Sequence, residues 1–531
     1  MSLGKSPVNI RTTAATFTDM YDMISNATDN IVMFFYQLDP NLLLRGTSDS
    51  KLFGVLDGRM QQQQNLRVKI YHYKEMPESA VRAARTKFGD RLQIKRVLNA
   101  NRFTYGVHQK VIVADNNCLI GGVDANNDAF EVPGINPSEK VGCTLGSTNV
   151  CGWRDVDVAF FDHPICADIA KHSIATGETA KDDVQPVESP RHRGLAPDFT
   201  VQLVTSFYKD CSMYAAWLRD IDAAKRYVYI EQQYFSSAHI ESSGATQLVG
   251  ISQNQILPRL LARVADALER DAKFTIILVM GLSSNAAVTN RGLSTVLYGT
   301  NSLLQGVKTL IRNKGMDESR WRDYLSIVAI RNVGFMGDGT GRNIMMSGIH
   351  FVHSKMMISD DKAAVVGSAN VVDRSMLPGN DFEVGIHFVD GGSHPGIRLR
   401  DARLTLWESL LDSCPSLQDL RGGKTVSSFL AEKTIDDQID IWRTCVDEDT
   451  KLLTQGIDNE LIWTCPRKAL PMKHTVRKLA DNDMKRVSSM YLLDFGSAPK
   501  RVDLSGWDCE GVNAAVIEHG SRIAAAVTDL F

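Results

Sequence analysis

The feature that most constrains this chain is an order of elements that occurs twice. In the first half an apolar strand, Ile31–Leu38, leads through a helical stretch to the strand Leu66–Tyr73. A short helix then precedes Leu92–Leu98, the hairpin His108–Asp124, the strand Asp155–Phe161 and a helix after Pro164. The second half repeats the series: Tyr227–Phe235, a helix near Gln255–Arg270, Phe274–Met280, a helix near Ser294–Lys314, Tyr324–Arg331, the hairpin His353–Asn370 and the strand Phe382–Val389. A last helix, near Arg398–Leu411, carries Leu404, Trp407 and Leu411 at helical spacing. Strands alternating with helices predict an α/β fold. Two copies predict two similar lobes, mixed sheets flanked by helices, related by a pseudo-two-fold with the active site at their interface. The expected boundaries are a first lobe over 1–176, a polar, proline-bearing linker over 177–197, a second lobe over 198–414 and an extension over 415–531 packed on the second lobe. That extension has helical stretches and an apolar strand near Met490–Phe495.

The two hairpins read YGVHQKVIVADNNCLIGGVD and FVHSKMMISDDKAAVVGSAN. Each has His-x-Lys, four further residues, an Asp at the turn, then an apolar strand ending in two small residues. On a strand, residues two apart face one side, so His108 and Lys110 are expected to point together, as are His353 and Lys355. A lysine in so apolar a setting is costly to bury unless it meets an anion. Two imidazoles and two ammonium groups brought together suit a phosphate group, with a nucleophile on one side and a proton donor on the other. One His-x-Lys is weak evidence; two copies in the same repeat context, each with Asp five residues past the lysine, are strong.

On these residues the chain resembles the phospholipase D superfamily and its duplicated HxKxxxxD signature. The second copy fits through Gly367, Ser368 and Asn370, and SANVVDRSMLPGNDFEVGI and YVYIEQQYF look like the eukaryotic-type subgroup. In the first copy GGVD, with Asp124, is similar to that subgroup but sits one residue closer to Asp115. The resemblance spans roughly Ile31–Leu411, and no PX, PH or C2 module is recognised. It implies that His108 attacks phosphorus to form a phosphohistidine, and that His353 first protonates the leaving alcohol and then activates water. Lys110, Lys355 and Asn370 would hold the non-bridging oxygens. Which histidine attacks comes from the resemblance alone. It further implies a carboxylate for each imidazole on the strand after the other hairpin: Asp155 for His353 and Glu383 for His108, with Asp157 and Asp381, two residues away on the same strand faces, as the alternatives.

Asp115 and Asp360 belong to the signature and are expected to cap turns. Glu231 could line the pocket or simply end a buried strand. His350 is expected to be structural, His192 to sit in a solvated basic patch of the linker, and the run Phe34, Phe35, Tyr36 to be core. No metal-ligand spacing is present, and no cofactor or catalytic metal is expected, since the lysines supply the positive charge.

Net charge is −3, which argues against a surface that wraps nucleic acid. The activity implied is phosphatidylcholine-type phospholipase D, releasing phosphatidic acid, with transfer to another alcohol a second outcome. A nuclease of the same superfamily is the rival enzyme, and a non-catalytic phospholipid-binding protein the rival of another class. The expected partner is a phospholipid at a membrane surface, without nucleic acid, and one copy is expected to suffice because both motifs lie in one chain. No signal peptide or transmembrane-length run is read, leaving a soluble protein, peripheral at membranes, in the cytoplasm or exported by another route. The nine scattered cysteines are expected to be buried free thiols.

Overall fold

The computed structural model describes residues 8–97, 106–126, 153–178, 190–193, 199–206, 210–237, 252–280, 296, 302–337, 343–377, 381–391, 397–412, 414–458 and 490–492. The first copy runs β1 (Val8–Thr12), α1 (Thr13–Asn26), β2 (Asn30–Phe35), α2 (Leu52–Gln62), β3 (Arg67–His72), α3 (Glu78–Phe88), β4 (Leu92–Arg96), β5 (Val111–Ala114), β6 (Asn117–Gly121), β7 (Val156–Phe160) and α4 (Ile165–Glu178). The second runs β8 (Phe199–Ser206), α5 (Ser212–Ala223), β9 (Tyr227–Gln232), α6 (Ile256–Glu269), β10 (Thr275–Met280), α7 (Leu303–Asn313), β11 (Leu325–Gly337), β12 (Asn343–Val352), β13 (Lys355–Ser359), β14 (Ala363–Gly367), β15 (Glu383–Asp390) and α8 (Ile397–Leu411). The chain is α/β, with mixed sheets flanked by helices. The repeat starts earlier than its motifs suggest: β1–α1 and β8–α5 open the two copies.

Two compact units are drawn from non-contiguous stretches. The first comprises Met1–Glu131, Arg154–Ala223 and His353–Leu399; the second comprises Val132–Trp153, Ala224–Val352 and Arg400–Phe531. In the first unit one sheet has the order β1-β7-β6-β5-β2-β3-β4. Strands β2, β3 and β4 run parallel, as the crossover helices α2 and α3 require, and the rest is antiparallel. The same unit holds β8-β15-β14-β13, paired antiparallel as β1-β7-β6-β5 are. Helix α1 forms because Phe17, Met20, Met23 and Ile24 recur at helical spacing, and all four are buried.

In the second unit β9, β10 and β11 are parallel, and β12 joins β11 antiparallel. Helix α6 buries Ile256, Leu257, Leu260, Val264, Ala267 and Leu268, each large side chain contributing about 1.5–3 kcal/mol. Helices α9 (Pro415–Leu420), α10 (Val426–Ala431) and α11 (Ile435–Asp458) belong here too. From α11, Trp442 packs 4.7 Å from the Trp407 ring and donates its indole N–H to Ser326 Oγ at 3.1 Å. The short strand Met490–Leu492 pairs with β11.

Two expectations are corrected. Cys414 and Cys445, 31 residues apart and both in the second unit, form a disulfide, so the cysteines are not all free thiols. Cys118 and Cys166 do remain free and buried. His192 is not in a solvated patch: it lies in the strand His192–Arg193, paired to β8, with Nε2 2.7 Å from Asp168 Oδ2. The rest of the expected linker between 179 and 198, apart from 190–193, lies outside the described residues. Among the described residues no helix is long and apolar enough to cross a membrane.

Candidate active site

Both His-x-Lys pairs fall in the first unit, and neither histidine stands on a regular strand as expected. Each precedes one, in an extended lead-in tied down from the side. The backbone N–H of His108 donates to the Phe382 carbonyl at 3.1 Å, and that of His353 to Arg154 at 2.7 Å. Lys110 immediately precedes β5 and Lys355 opens β13, and each ammonium folds back to the carbonyl of its own histidine, for Lys110 at 2.9 Å. The lead-in leaves the ladder because its N–H groups are spent on the neighbouring segment.

The imidazoles cross over. His108 Nδ1 lies 3.2 and 3.1 Å from the two Glu383 carboxylate oxygens and 3.1 Å from the Ser368 carbonyl. His353 Nδ1 lies 2.5 Å from Asp155 Oδ2, and the Gly122 carbonyl also bonds this imidazole. Surrounded by acceptors, each Nδ1 carries the hydrogen, which leaves Nε2 for chemistry. The small pairs Gly121-Gly122 and Gly367-Ser368 exist for this approach. A Cβ on Gly122 would sit 2.0 Å from Asp155 Oδ1, and one on Gly367 2.6 Å from the Val384 carbonyl. Ser368, which has a side chain, uses it: Oγ donates to Glu383 Oε2 at 2.5 Å.

Lys110 and Lys355 are both buried. Lys110 has Asp124 Oδ2 at 3.5 Å, while the other Asp124 oxygen accepts the Gln37 N–H at 3.0 Å. Asp124, doubtful from its spacing, is therefore the partner of a site lysine. Burial, with Asp155 opposing it, pulls the Lys355 ammonium down to about 7. Burial, then the charges of Lys110 and Lys355, holds the His108 imidazole well below the ordinary histidine range. The same causes act on His353, with Lys355 ahead of Lys110. Burial pushes Glu383 up to about 7 against the pull of Lys110 and the Ser368 bond, and pushes Asp155 well above the carboxylate range. The site thus disfavours net charge until an anion enters it. Asn370, at the end of the second motif, is buried, and among the described residues its Oδ1 has no hydrogen-bond partner.

The two neighbouring aspartates do other work. Asp157 accepts the Val123 N–H at 3.2 Å, and Asp381 accepts the Gly106 N–H at 2.5 Å and the Arg374 guanidinium at 2.6 Å. Asp381 thereby pins the segment that carries His108. Both signature aspartates sit at positive φ in their turns, Asp115 at 51° and Asp360 at 50°. Asp115 does more than cap its turn: it accepts the backbone N–H groups of Thr28, Asp29 and Asn30 at 2.8–3.0 Å, clamping the start of β2 to the hairpin. Glu231 is fully buried on β9 in the second unit and accepts the Tyr229 hydroxyl at 2.5 Å.

The sequence reading missed Tyr36. Phe34 and Phe35 are core, as expected, but Tyr36 is half-buried and its ring centroid lies 5.3 Å from that of His108, at 72°. Its position just past the end of β2 was the available signal, since ligands in α/β folds gather at the carboxyl ends of parallel strands. Burial, then the nearby Asp124 charge, pushes its phenol pKa upward, so Tyr36 stays neutral.

Residues 198–391 match the family model described as Phospholipase D. A "Phospholipase D" of Phytophthora infestans is 29% identical over 201 residues, covering 35% of this chain and 10% of that one. "Phospholipase D C" of Dictyostelium discoideum is 32% identical over 173 residues, covering 33% and 10%. "Phospholipase D zeta 2" of Arabidopsis thaliana is 28% identical over 321 residues, covering 56% and 28%. These matches support assignment to the phospholipase D superfamily, and the chain spans 10% of the length of the first two relatives and 28% of the third. A solved phosphatidylserine synthase of Haemophilus influenzae overlaps at a TM-score of 0.48 and 12% identity, covering 83% of this chain and 95% of that one. So loose a likeness says nothing of substrate.

Proposed function

We propose that this chain is a phospholipase D-type phosphodiesterase acting on phosphatidylcholine-like glycerophospholipids at a membrane surface. The observation that supports it best is the crossed pair of imidazoles, each held by a carboxylate from the other motif, with two buried lysines whose charges reach both.

In the first step the Nε2 lone pair of His108 forms a bond to phosphorus. The bond from phosphorus to the head-group oxygen breaks, its electron pair stays on that oxygen, and His353 Nε2 supplies the proton. In the second step His353 takes a proton from water, the hydroxide attacks phosphorus, and the N–P bond returns its electrons to His108. An alcohol in place of water gives transfer. Lys110, Lys355 and Asn370 hold the non-bridging oxygens as charge builds. Glu383 and Asp155 fix the tautomers and steady each imidazole when it becomes positive. His353 must enter protonated, although the two lysines oppose that in the free site. The phosphodiester anion, by neutralising them, restores the proton, so acid and substrate arrive together. Exposure supports His108 as the attacking member: its side chain is 17% exposed against 5% for His353.

The test is head-group release from vesicles of single phospholipids, with single-stranded DNA assayed beside them. Release of choline with formation of phosphatidic acid is expected. Cleavage of DNA with no release from any vesicle would replace this reading by the nuclease one.

A further inference from the structure

The Tyr36 ring touches both members of the first motif. Besides the His108 contact, Lys110 Nζ lies over it, 5.2 Å from the centroid. Tyr73, next after β3, stacks on it at 5.3 Å and 16°, fixing its plane. The matching register position of the second copy holds a different residue: β2 and β9 are both six residues long, and the position after β9 is Gln233.

We infer that Tyr36 is a positioning residue for His108, which orients the imidazole for attack and stabilises the cationic ring that results once Nε2 is phosphorylated. This rests on the phosphohistidine reading above. The chemistry is general: phosphorylation at Nε2 with Nδ1 still protonated leaves positive charge on the ring, and the electron-rich face of a neighbouring phenol attracts such a cation. Glu383 fixes one edge of the imidazole, and a single hydrogen-bonded edge leaves the ring free to tilt about it. Tyr36 supplies the second contact that defines the plane. The hydroxyl takes no part in this argument; the ring does.

Tyr36→Leu keeps apolar bulk and removes the aromatic face, and Tyr36→Phe keeps the face. With phosphatidylcholine vesicles, Tyr36→Leu should lower kcat by roughly tenfold to a hundredfold with KM within about twofold, the scale on which misplaced groups lose rate. The acid-labile phosphoenzyme trapped early in turnover should fall with it, while the melting temperature stays close to that of the parent. Tyr36→Phe should restore kcat and phosphoenzyme to within a few-fold of the parent. Equal losses in the Phe and Leu variants, or a Leu variant with parental kcat and phosphoenzyme, would overturn the inference. Imidazole nitrogen shifts in histidine-labelled protein, with the His108 signal identified by His108→Gln, read positioning without turnover. Tyr36→Leu should move the His108 signals and leave those of His353 in place; unmoved His108 signals refute positioning. If the parent turns over no phosphodiester, the proposed function falls, and the shifts still decide the role of Tyr36.

Discussion

The two histidine hairpins share a plan and differ in finish. His108 is the more open imidazole, its Nδ1 split between two Glu383 oxygens at 3.1–3.2 Å, its lysine partnered by Asp124 and its ring walled by Tyr36. His353 is deeper, held at 2.5 Å by one Asp155 oxygen, and among the described residues Lys355 has no carboxylate within ion-pair distance. The two hairpins are thus divided in their surroundings: one imidazole is more accessible and flanked by Tyr36, the other more enclosed, which suits the attacking and proton-moving roles proposed above. The division lies in the carboxylate geometry and the second contact of each imidazole, not in the motif.

The largest test of that division is removal of each histidine. His108→Ala should abolish phosphoenzyme and lower kcat by about 10⁴-fold or more. His353→Ala should cost about 10²–10⁴-fold with a poor leaving group, and far less with a nitrophenyl ester whose oxygen needs no proton. Parental phosphoenzyme from His108→Ala would reverse the assignment. Next come the lysines. Lys355→Met and Lys110→Met should each lower kcat by about 10²–10³-fold, yet they should part in stability. Met at 355 removes a buried cation that lacks a carboxylate partner and should raise stability by about 1–2 kcal/mol, while Met at 110 strands Asp124 and should lower it by a similar amount. Thermal melts of the two variants decide this, and equal shifts of one sign would erase the distinction.

The pH profile of kcat/KM should be narrow and centred near pH 7. The carboxylate of Glu383, raised to about 7, is lost as pH falls through that value; the ammonium of Lys355, depressed to about 7, is lost as pH rises through it. Bound phosphate raises the lysine, so the alkaline limb of kcat should lie above that of kcat/KM. For stability the signs are fixed by the same shifts. The Glu383 contribution is full below its unfolded pKa and is lost as pH rises through about 7, while the cost of burying Lys355 is relieved as pH rises from about 7 toward its unfolded value. The smallest effect is expected from Ser368→Ala. It removes one bond to Glu383, worth about 1 kcal/mol, so kcat should fall roughly fivefold and the acid limb move to higher pH. A limb that stays in place would exclude Ser368 from tuning Glu383.

Much of this was legible because periodicity and motif agree. Alternating strands and helices, read twice, predict the α/β layers, and the spacing of His, Lys and Asp on a two-strand hairpin predicts which side chains stand together. What escaped has physical causes. Strand β1 is five residues of intermediate burial, and its Val8-Asn9-Ile10-Arg11 alternation is too short to stand out. Asp115 looks like any turn aspartate, because the three N–H groups that it clamps lie 85–87 residues away in sequence. Tyr36 hides behind Phe34 and Phe35, which are core, and only strand direction separates a buried aromatic from one at the mouth of a sheet. Cys414 and Cys445 meet because two helical segments pack, which spacing alone does not encode.

His108 and Glu383 are 275 residues apart, and His353 and Asp155 198 apart, although all four belong to one compact unit. During synthesis at about 5–20 residues per second, the first motif therefore leaves the ribosome tens of seconds before its carboxylate does. Until then that imidazole has neither an oriented tautomer nor its opposite number. Under the function proposed above, chain connectivity keeps the site inactive until β15 has been made.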